Sequence, residues 1–135
     1  MKRFLLILFC HIAVLTACNR EADLRDSFSE SEGIGLSVKG RKVFKYNALN
    51  CQSSFNRERC EFRLCTDNMS DFVRVRLSGI PAEKGQRLSG DVSWTTSNNV
   101  DRKKDIGFEV IRCENDRFWL WSSSSRIGIV LRVLD

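Results

Sequence analysis

The sequence predicts a single all-β domain, an antiparallel β-sandwich or small β-barrel of about seven or eight strands, behind an N-terminal signal helix and a disordered tether. Three observations predict this fold class. Short apolar stretches alternate with polar residues at period two, as in strands with one buried face. Glycines and polar clusters interrupt the chain at short intervals, which favours tight turns and antiparallel pairing. Beyond the N-terminal segment, no stretch has the 3.6-residue periodicity of an amphipathic helix.

The clearest predicted strand covers residues 73–77, where Val73, Val75 and Leu77 alternate with two arginines. The other predicted strands lie near residues 36–46, 60–64, 88–96, 106–110, 118–121 and 127–134. The only proline, Pro81, falls between strands, as expected for a residue that cannot donate to a sheet ladder. The basic run 102–104 is predicted to lie in a hairpin loop that begins near residue 97.

The N-terminus has the pattern of an export signal. Lys2 and Arg3 provide a positive start, and residues 4–15 are apolar apart from His11. This stretch has the length of a signal-peptide core and is too short to span a bilayer as a helix. It ends in Leu15–Cys18, with small residues directly before the cysteine. An ordinary secretory signal followed by an incidental cysteine is the alternative interpretation of residues 1–17.

The four residues Leu15–Cys18 resemble a lipobox, the lipidation signal of bacterial lipoproteins. The resemblance implies that Cys18 takes up diacylglycerol as a thioether, that cleavage follows Ala17, and that the new N-terminus is acylated. Two or more acyl chains hold a protein stably, at about 0.8 kcal/mol per buried CH₂. These lipids are the only cofactor expected. Because Asn19 stands where an aspartate retains enteric lipoproteins at the inner membrane, the resemblance implies the outer membrane of a bacterial cell envelope, on either face.

Charge is uneven along the chain that cleavage would leave. Residues 18–33, which start at the lipidated cysteine, contain two arginines and five acidic residues and are predicted to form a flexible acidic tether. Residues 34–135, the predicted β domain, carry 18 basic and 12 acidic residues, a net charge of +6. A basic domain suits anionic partners such as lipopolysaccharide, nucleic acid or acidic glycans. Because the positive charges are dispersed along the chain, a soluble surface that happens to be basic is the favoured interpretation. No nucleic-acid partner is expected.

Four cysteines remain in the predicted domain: Cys51, Cys60, Cys65 and Cys113. An even number in an exported domain predicts two disulfides. Pairing of Cys51 with Cys60 and of Cys65 with Cys113 is favoured, and pairing of Cys51 with Cys65 and of Cys60 with Cys113 is second. Unpaired thiols and a zinc site are the alternatives. Because no C-x-x-C pair is present, we expect no metal site.

The sequence excludes several kinds of catalysis. The only histidine, His11, lies in the segment that cleavage would remove, so neither a Ser-His-Asp triad nor a Cys-His pair would remain. No phosphate-binding glycine motif is present. A carboxylate pair of the glycosidase type would draw on Asp67, Asp71, Asp91 or Glu109, but turn aspartates usually bond to the backbone. We therefore expect a protein that is not an enzyme, with no catalytic residue.

The segment Phe118–Trp121 is apolar on both faces of a strand, with Trp119 and Trp121 on one side. Two interpretations follow. Either the strand is buried on both faces, which the apolar strand 127–134 beside it favours, or the two indoles form a ligand platform on which sugar rings stack.

Three segments, residues 90–96, 119–121 and 127–132, are similar to small uncharacterised lipoproteins of anaerobic Gram-negative gut bacteria, a group without an assigned activity. We therefore expect a lipid-anchored, non-enzymatic binding or structural module of the cell envelope, with an envelope glycan or a protein as partner. One alternative is a surface lipoprotein that binds carbohydrate through Trp119 and Trp121. Another is an inhibitor of a lysozyme-like hydrolase, because small lipid-anchored β-barrels with disulfides resemble known inhibitors.

Overall fold

The computed structural model describes residues 20–133, so the lipobox and Cys18 lie outside the described residues. Within this range the chain forms one helix, α1 (residues 20–29), and nine strands. The strands are β1 (Gly35–Val38), β2 (Arg41–Lys45), β3 (Cys51–Asn56), β4 (Glu61–Thr66), β5 (Phe72–Leu77), β6 (Arg87–Thr96), β7 (Asn99–Glu114), β8 (Arg117–Ser122) and β9 (Ile127–Arg132). No helix in this part of the chain is long and apolar enough to cross a membrane.

All nine strands belong to a single sheet in the order β2-β1-β9-β8-β7-β6-β5-β4-β3. Every neighbouring pair is antiparallel. The sheet curls into a half-barrel whose two edges are β2 and β3. The predicted all-β, antiparallel class is therefore confirmed, in the form of one curled sheet.

The core fills the inside of the curl because alternate residues of each strand point inward. In β5, for example, Val73, Val75 and Leu77 are buried while the intervening arginines are not. The same alternation runs through the ten residues of β6. The central residues of this inner core are Phe62, Leu64, Val75, Val92, Val110, Leu120 and Ile129.

Three predictions about individual strands were wrong. The stretch 36–46 is two strands, joined at Lys39 and Gly40, whose φ angles of 51° and 84° form a tight turn. The strand β3 was not predicted, because its sequence is mostly polar and lies at a sheet edge. The run 102–104 lies within β7 and not in a loop. Ser97 and Asn98, both with positive φ, suffice for the β6–β7 turn, so pairing resumes at once.

Residues 20–29 form α1, which corrects the prediction of a flexible tether over this stretch. Leu24 and Phe28 stand four residues apart and so share one helix face, which packs on the outside of β8 and β9. Side chains of the sheet hold the last residue of α1 and the backbone that follows it. The Nη1 of Arg112 donates to the carbonyl of Ser29 at 2.8 Å, and the Nε1 of Trp119 donates to the carbonyl of Ser31 at 3.0 Å.

Gly128 is where the helix and the sheet come closest. A Cβ at this position would lie 2.5 Å from ring atoms of Phe28, which is a forbidden contact. We expect Gly128→Ala to displace Phe28, to lower the free energy of unfolding by about 1–3 kcal/mol as overpacking does, and to uncover the indoles beneath α1. Urea unfolding and acrylamide quenching of tryptophan fluorescence measure the two effects.

The matched control is Gly107→Ala in β7, where an added Cβ would have no atom within 4 Å. This variant is expected to keep the stability and the quenching of the parent chain. Equal behaviour of the two variants would contradict the docking of α1 on Gly128.

Candidate binding surface

The two tryptophans proposed as a ligand platform are buried, with exposed fractions of 0% for Trp119 and 3% for Trp121. Phe28 of α1 covers Trp121, with 5.6 Å between ring centroids. The guanidinium of Arg112 lies 4.1 Å above the centroid of the Trp119 ring. A strand that is buried on both faces was the favoured interpretation and is what the structure shows. The platform interpretation is corrected, because no indole face is open to a sugar ring.

The four cysteines do not pair, which corrects the predicted disulfides: each is free in the described chain. The register explains why. Cys51 lies opposite Thr66 and faces the core, whereas Cys65, one residue before Thr66, faces outward. Cys60 is held in the β3–β4 turn, and its thiol contacts the carbonyl of Arg57. Cys113 lies on β7, with β5 and β6 between it and β4.

Of the carboxylates considered for catalysis, Asp67 and Asp71 share the β4–β5 turn, whereas Asp91 lies on β6 and Glu109 on β7. Asp71 in the β4–β5 turn accepts a hydrogen bond from the Thr95 hydroxyl at 3.1 Å. Asp91 on β6 accepts one from the backbone N–H of Asp105 at 2.9 Å. Each therefore has the local structural role that is usual for aspartate near turns and bulges. Within residues 20–133, no group of three or more His, Cys, Asp or Glu side chains is placed to hold a metal ion.

The outward side of β4, β5 and β7 carries a concentration of positive charge around one buried carboxylate, Glu61. This side chain is 4% exposed. Its oxygens lie 2.5 Å from Nε of Arg63 and 3.0 Å from Nη2 of Arg74, and Nη2 of Arg76 is 3.6 Å away. Three half-exposed guanidinium groups thus share one negative charge, and a net positive charge remains at the surface.

The strand register extends this charge across the sheet. Arg63 lies opposite Arg74, Arg74 opposite Ser93, and Ser93 opposite Arg102. Directly opposed residues point to the same side of a sheet, and neighbouring strands are about 4.8 Å apart. These four residues therefore form a transverse row. We call the surface formed by Arg63, Arg74, Arg76, Ser93, Arg102 and Lys104 the basic face.

A bulge lies at one end of the basic face. The β6–β7 register shifts between Gly90 and Val92, and Asp105 on the opposite strand has a φ of 52°. Beside the bulge is a shallow hollow of about 310 Å³. It is lined by Val92, Ser93, Asp91 and five cationic residues, which are Arg74, Arg76, Arg102, Lys103 and Lys104. Lys103 lies opposite the buried Val92, so its side chain points to the other side of the sheet and four cationic side chains remain on the outward side. Such a surface can hold an anion, because several cations reach the same volume.

Sequence reasoning missed this surface because it treated the basic residues as dispersed. They are dispersed along the chain, and only the pairing of β4 with β5, β5 with β6, and β6 with β7 brings them together. The available signal was the alternation of arginines with apolar residues in β4 and β5, which places the arginines on one side of two strands.

Comparison with protein-family models, with curated proteins and with solved structures finds no match to this chain.

Glu61 makes the stability of the domain depend on pH. Burial alone would raise the pKa of its carboxyl group, but hydrogen bonds and charges from Arg74 and Arg63 outweigh burial and hold that pKa below its usual value. A depressed pKa contributes stability that is present above the ordinary Glu pKa and is lost as pH falls through the folded-state value. We expect the free energy of unfolding to fall on acidification below about pH 4.5, by about 1 kcal/mol given the exposed arginines.

Glu61→Gln should flatten this part of the pH profile, measured by urea unfolding between neutral and strongly acidic pH. Glu58→Gln, in the exposed β3–β4 turn, removes a carboxylate nearby and is expected to keep the profile of the parent chain. Profiles that remain parallel for the parent and for Glu61→Gln would show that Glu61 does not carry the effect.

Proposed function

We propose that this protein is a lipid-anchored, non-enzymatic binding module of the bacterial cell envelope, and that the basic face binds an anionic envelope component. The observation that carries the proposal is the hollow beside the β7 bulge, where the outward side chains of four cationic residues meet one carboxylate. The ligand chemistry that fits is phosphate or carboxylate. Guanidinium groups present paired N–H donors to both groups, and neither requires a nucleophile or a general base on the protein.

The energetics favour a ligand with several charges. One exposed ion pair contributes about 0–1 kcal/mol, which is too little for recognition. The transverse row places Arg63, Arg74 and Arg102 across four adjacent strands, so a ligand with repeated charges can engage several guanidinium groups at once. Salt screens exposed charges within about 8–10 Å, so the interaction is expected to weaken steeply with ionic strength.

The proposed anchor fits the position of α1. The described helix starts at residue 20, two residues after Cys18, and it docks directly on β8 and β9. Lipid on Cys18 would therefore hold the domain close to the membrane, without a long tether between them. Asn19 after the cysteine favours the outer membrane, as proposed from the lipobox resemblance.

Lipidation is tested by labelling a Gram-negative host with radioactive palmitate while it expresses the full chain. We expect label on the parent chain and none on Cys18→Ala, because the sulfur of Cys18 is the proposed attachment atom. Cys10→Ala, in the apolar segment before the lipobox, is the matched control and should keep its label. Full labelling of Cys18→Ala would disprove the anchor.

Anion binding is tested with long-chain inorganic polyphosphate, titrated by calorimetry into the chain that starts at residue 19. This chain retains all of the described residues, 20–133. We expect Arg74→Gln with Arg102→Gln to weaken binding about tenfold or more, since two surface cations are worth about 1 kcal/mol each at a polyanion.

Lys84→Gln with Arg87→Gln removes the same charge from residues that line other hollows, and should change the affinity less than about twofold. Thermal unfolding checks that both double variants fold. If both lose affinity equally, the binding reflects net charge and the basic face is not a site.

A further inference from the structure

Four large apolar side chains are exposed among the described residues, and they surround one part of the sheet. Their exposed fractions are 39% for Val43, 46% for Val100, 75% for Met69 and 86% for Leu49. Leu49 lies in the loop before β3, Met69 in the β4–β5 turn, and Val100 at the start of β7. Large apolar side chains at loop ends contribute nothing to the core, so their clustering requires another explanation.

Hydrogen bonds hold these three segments together. The N–H of Asp67 donates to the carbonyl of Asn50 at 3.0 Å, which joins the loop of Leu49 to the turn of Met69. The hydroxyl of Thr95 donates to Asp71 at 3.1 Å and accepts from the N–H of Phe72 at the same distance. Thr95 is also the residue opposite Val100. We call Leu49, Met69 and Val100 the apolar tip.

Val100 joins the apolar tip to the basic face, because it lies on the same side of the sheet as Arg102. Val100 and Arg102 are two residues apart on β7, so both point outward and lie about 7 Å apart along the strand. Opposite them on β6, Thr95 and Ser93 are also two residues apart and point to the same outward side. On β5, the half-buried Phe72 lies two residues before Arg74 and therefore on the same side of the sheet. An apolar row therefore lies directly beside the row of arginines.

Val43 extends this pattern onto the edge strand β2. A hollow of about 460 Å³ separates it from the end of β6, and Phe44, Thr96 and Ser97 line the same hollow. Lys42 and Lys45 flank Val43 on β2. Lys45 and Asp71 line the hollow as well, so on β2 an exposed apolar side chain again lies beside a cation.

We propose that the anionic partner of the basic face is the phosphate-bearing headgroup layer of a membrane, with the apolar tip inserted at the boundary with the acyl chains. A soluble polyanion would need the cations alone, whereas a membrane surface presents phosphate and hydrocarbon side by side. Arginine and lysine side chains suit this boundary, because their stems cover apolar surface while their charges stay at the headgroups. The basic face and the apolar tip place cationic and apolar side chains in adjacent rows.

The carboxylates near the tip are fewer than the cations of the basic face and of β2. Asp67 and Asp71 are the acidic residues at the turn, and the Asp71 carboxylate accepts the hydrogen bond from the Thr95 hydroxyl described above. Asp101 lies opposite Trp94, so its side chain is directed to the other side of β7 from Arg102.

This inference rests on the proposed function, since it identifies the ligand of the same basic face. An anchor at Cys18 would strengthen the contact without any further interaction. A tethered domain meets its own membrane at a high effective concentration, so weak docking suffices.

The test uses the chain that starts at residue 19, which has no lipid and therefore reports docking alone. Its partition is measured by co-sedimentation with vesicles of phosphatidylcholine, and with vesicles in which roughly one-third of the lipid is phosphatidylglycerol. We expect binding to the anionic vesicles and little to phosphatidylcholine alone. Arg74→Gln with Arg102→Gln should reduce the partition at least about tenfold, at about fivefold per cation.

The apolar tip is tested with Leu49→Ser combined with Met69→Ser, at two exposed positions that contribute nothing to the core. We expect this variant to lose about tenfold in vesicle partition and to bind polyphosphate within about twofold of the parent chain. Leu49→Met with Met69→Leu exchanges the two side chains, keeps the tip apolar and should restore vesicle binding.

The outcomes separate the two proposals. If the parent chain binds polyphosphate through Arg74 and Arg102 but ignores anionic vesicles, the membrane inference fails and the proposed function stands. If the serine variant binds vesicles as well as the parent chain, insertion of the tip is disproved. If the parent chain binds neither probe, both proposals fail.

Discussion

The burial of both faces of β8 is the constraint on which the rest of the structure depends. Phe118 and Leu120 point into the curl of the sheet, and Trp119 and Trp121 point out of it. Other parts of the chain must therefore bury this strand on both of its faces. The inner cover is the sheet itself. The outer cover is α1, and it is small: Phe28 packs on Trp121, with Leu24 at the margin. Because α1 covers β8, β9 and the part of β7 around Ile111 and Arg112, the outer face of β4–β6 and of the first half of β7 stays open, and the polar residues of the sheet are accessible there.

The outer faces of the two halves of the sheet therefore differ: one is apolar and covered by α1, and the other is polar and exposed. Where the outer face is apolar, a helix buries it, and polar groups of the sheet in turn cap the chain beyond the helix, as Arg112 and Trp119 do. Where the outer face is polar, arginines from adjacent strands stand close together, and like charges so placed would repel. Glu61 removes part of that repulsion by accepting from Arg63 and Arg74. One buried carboxylate is thus what allows the basic face to hold its charge without separating the strands.

Much of the fold could be predicted from local pattern, because a strand with one buried face repeats at period two. The strand β5 is such a case, and its apolar residues are buried as its alternation predicts. The helix α1 could not be predicted in this way. Its face consists of Leu24 and Phe28 alone, and its docking depends on Arg112 and Trp119, more than 80 residues along the chain from the carbonyls they bind. A long-range contact of this kind leaves no periodic signal.

The basic face could not be predicted either, because it depends on which strands pair and in which register. The cysteines show the opposite case, in which residues close in sequence do not meet. Cys51 and Cys65 are close in sequence and lie on paired strands, yet their side chains point to opposite faces, because a shift of one residue reverses direction. Arg74 and Arg102 are far apart in sequence, yet they share a row with Ser93 between them. Spacing along the chain therefore predicted disulfides that do not form and gave no indication of the row of arginines. The register decides both, and since it also places Val100 beside Arg102, the same pairing that builds an anion-binding row gives it an apolar margin.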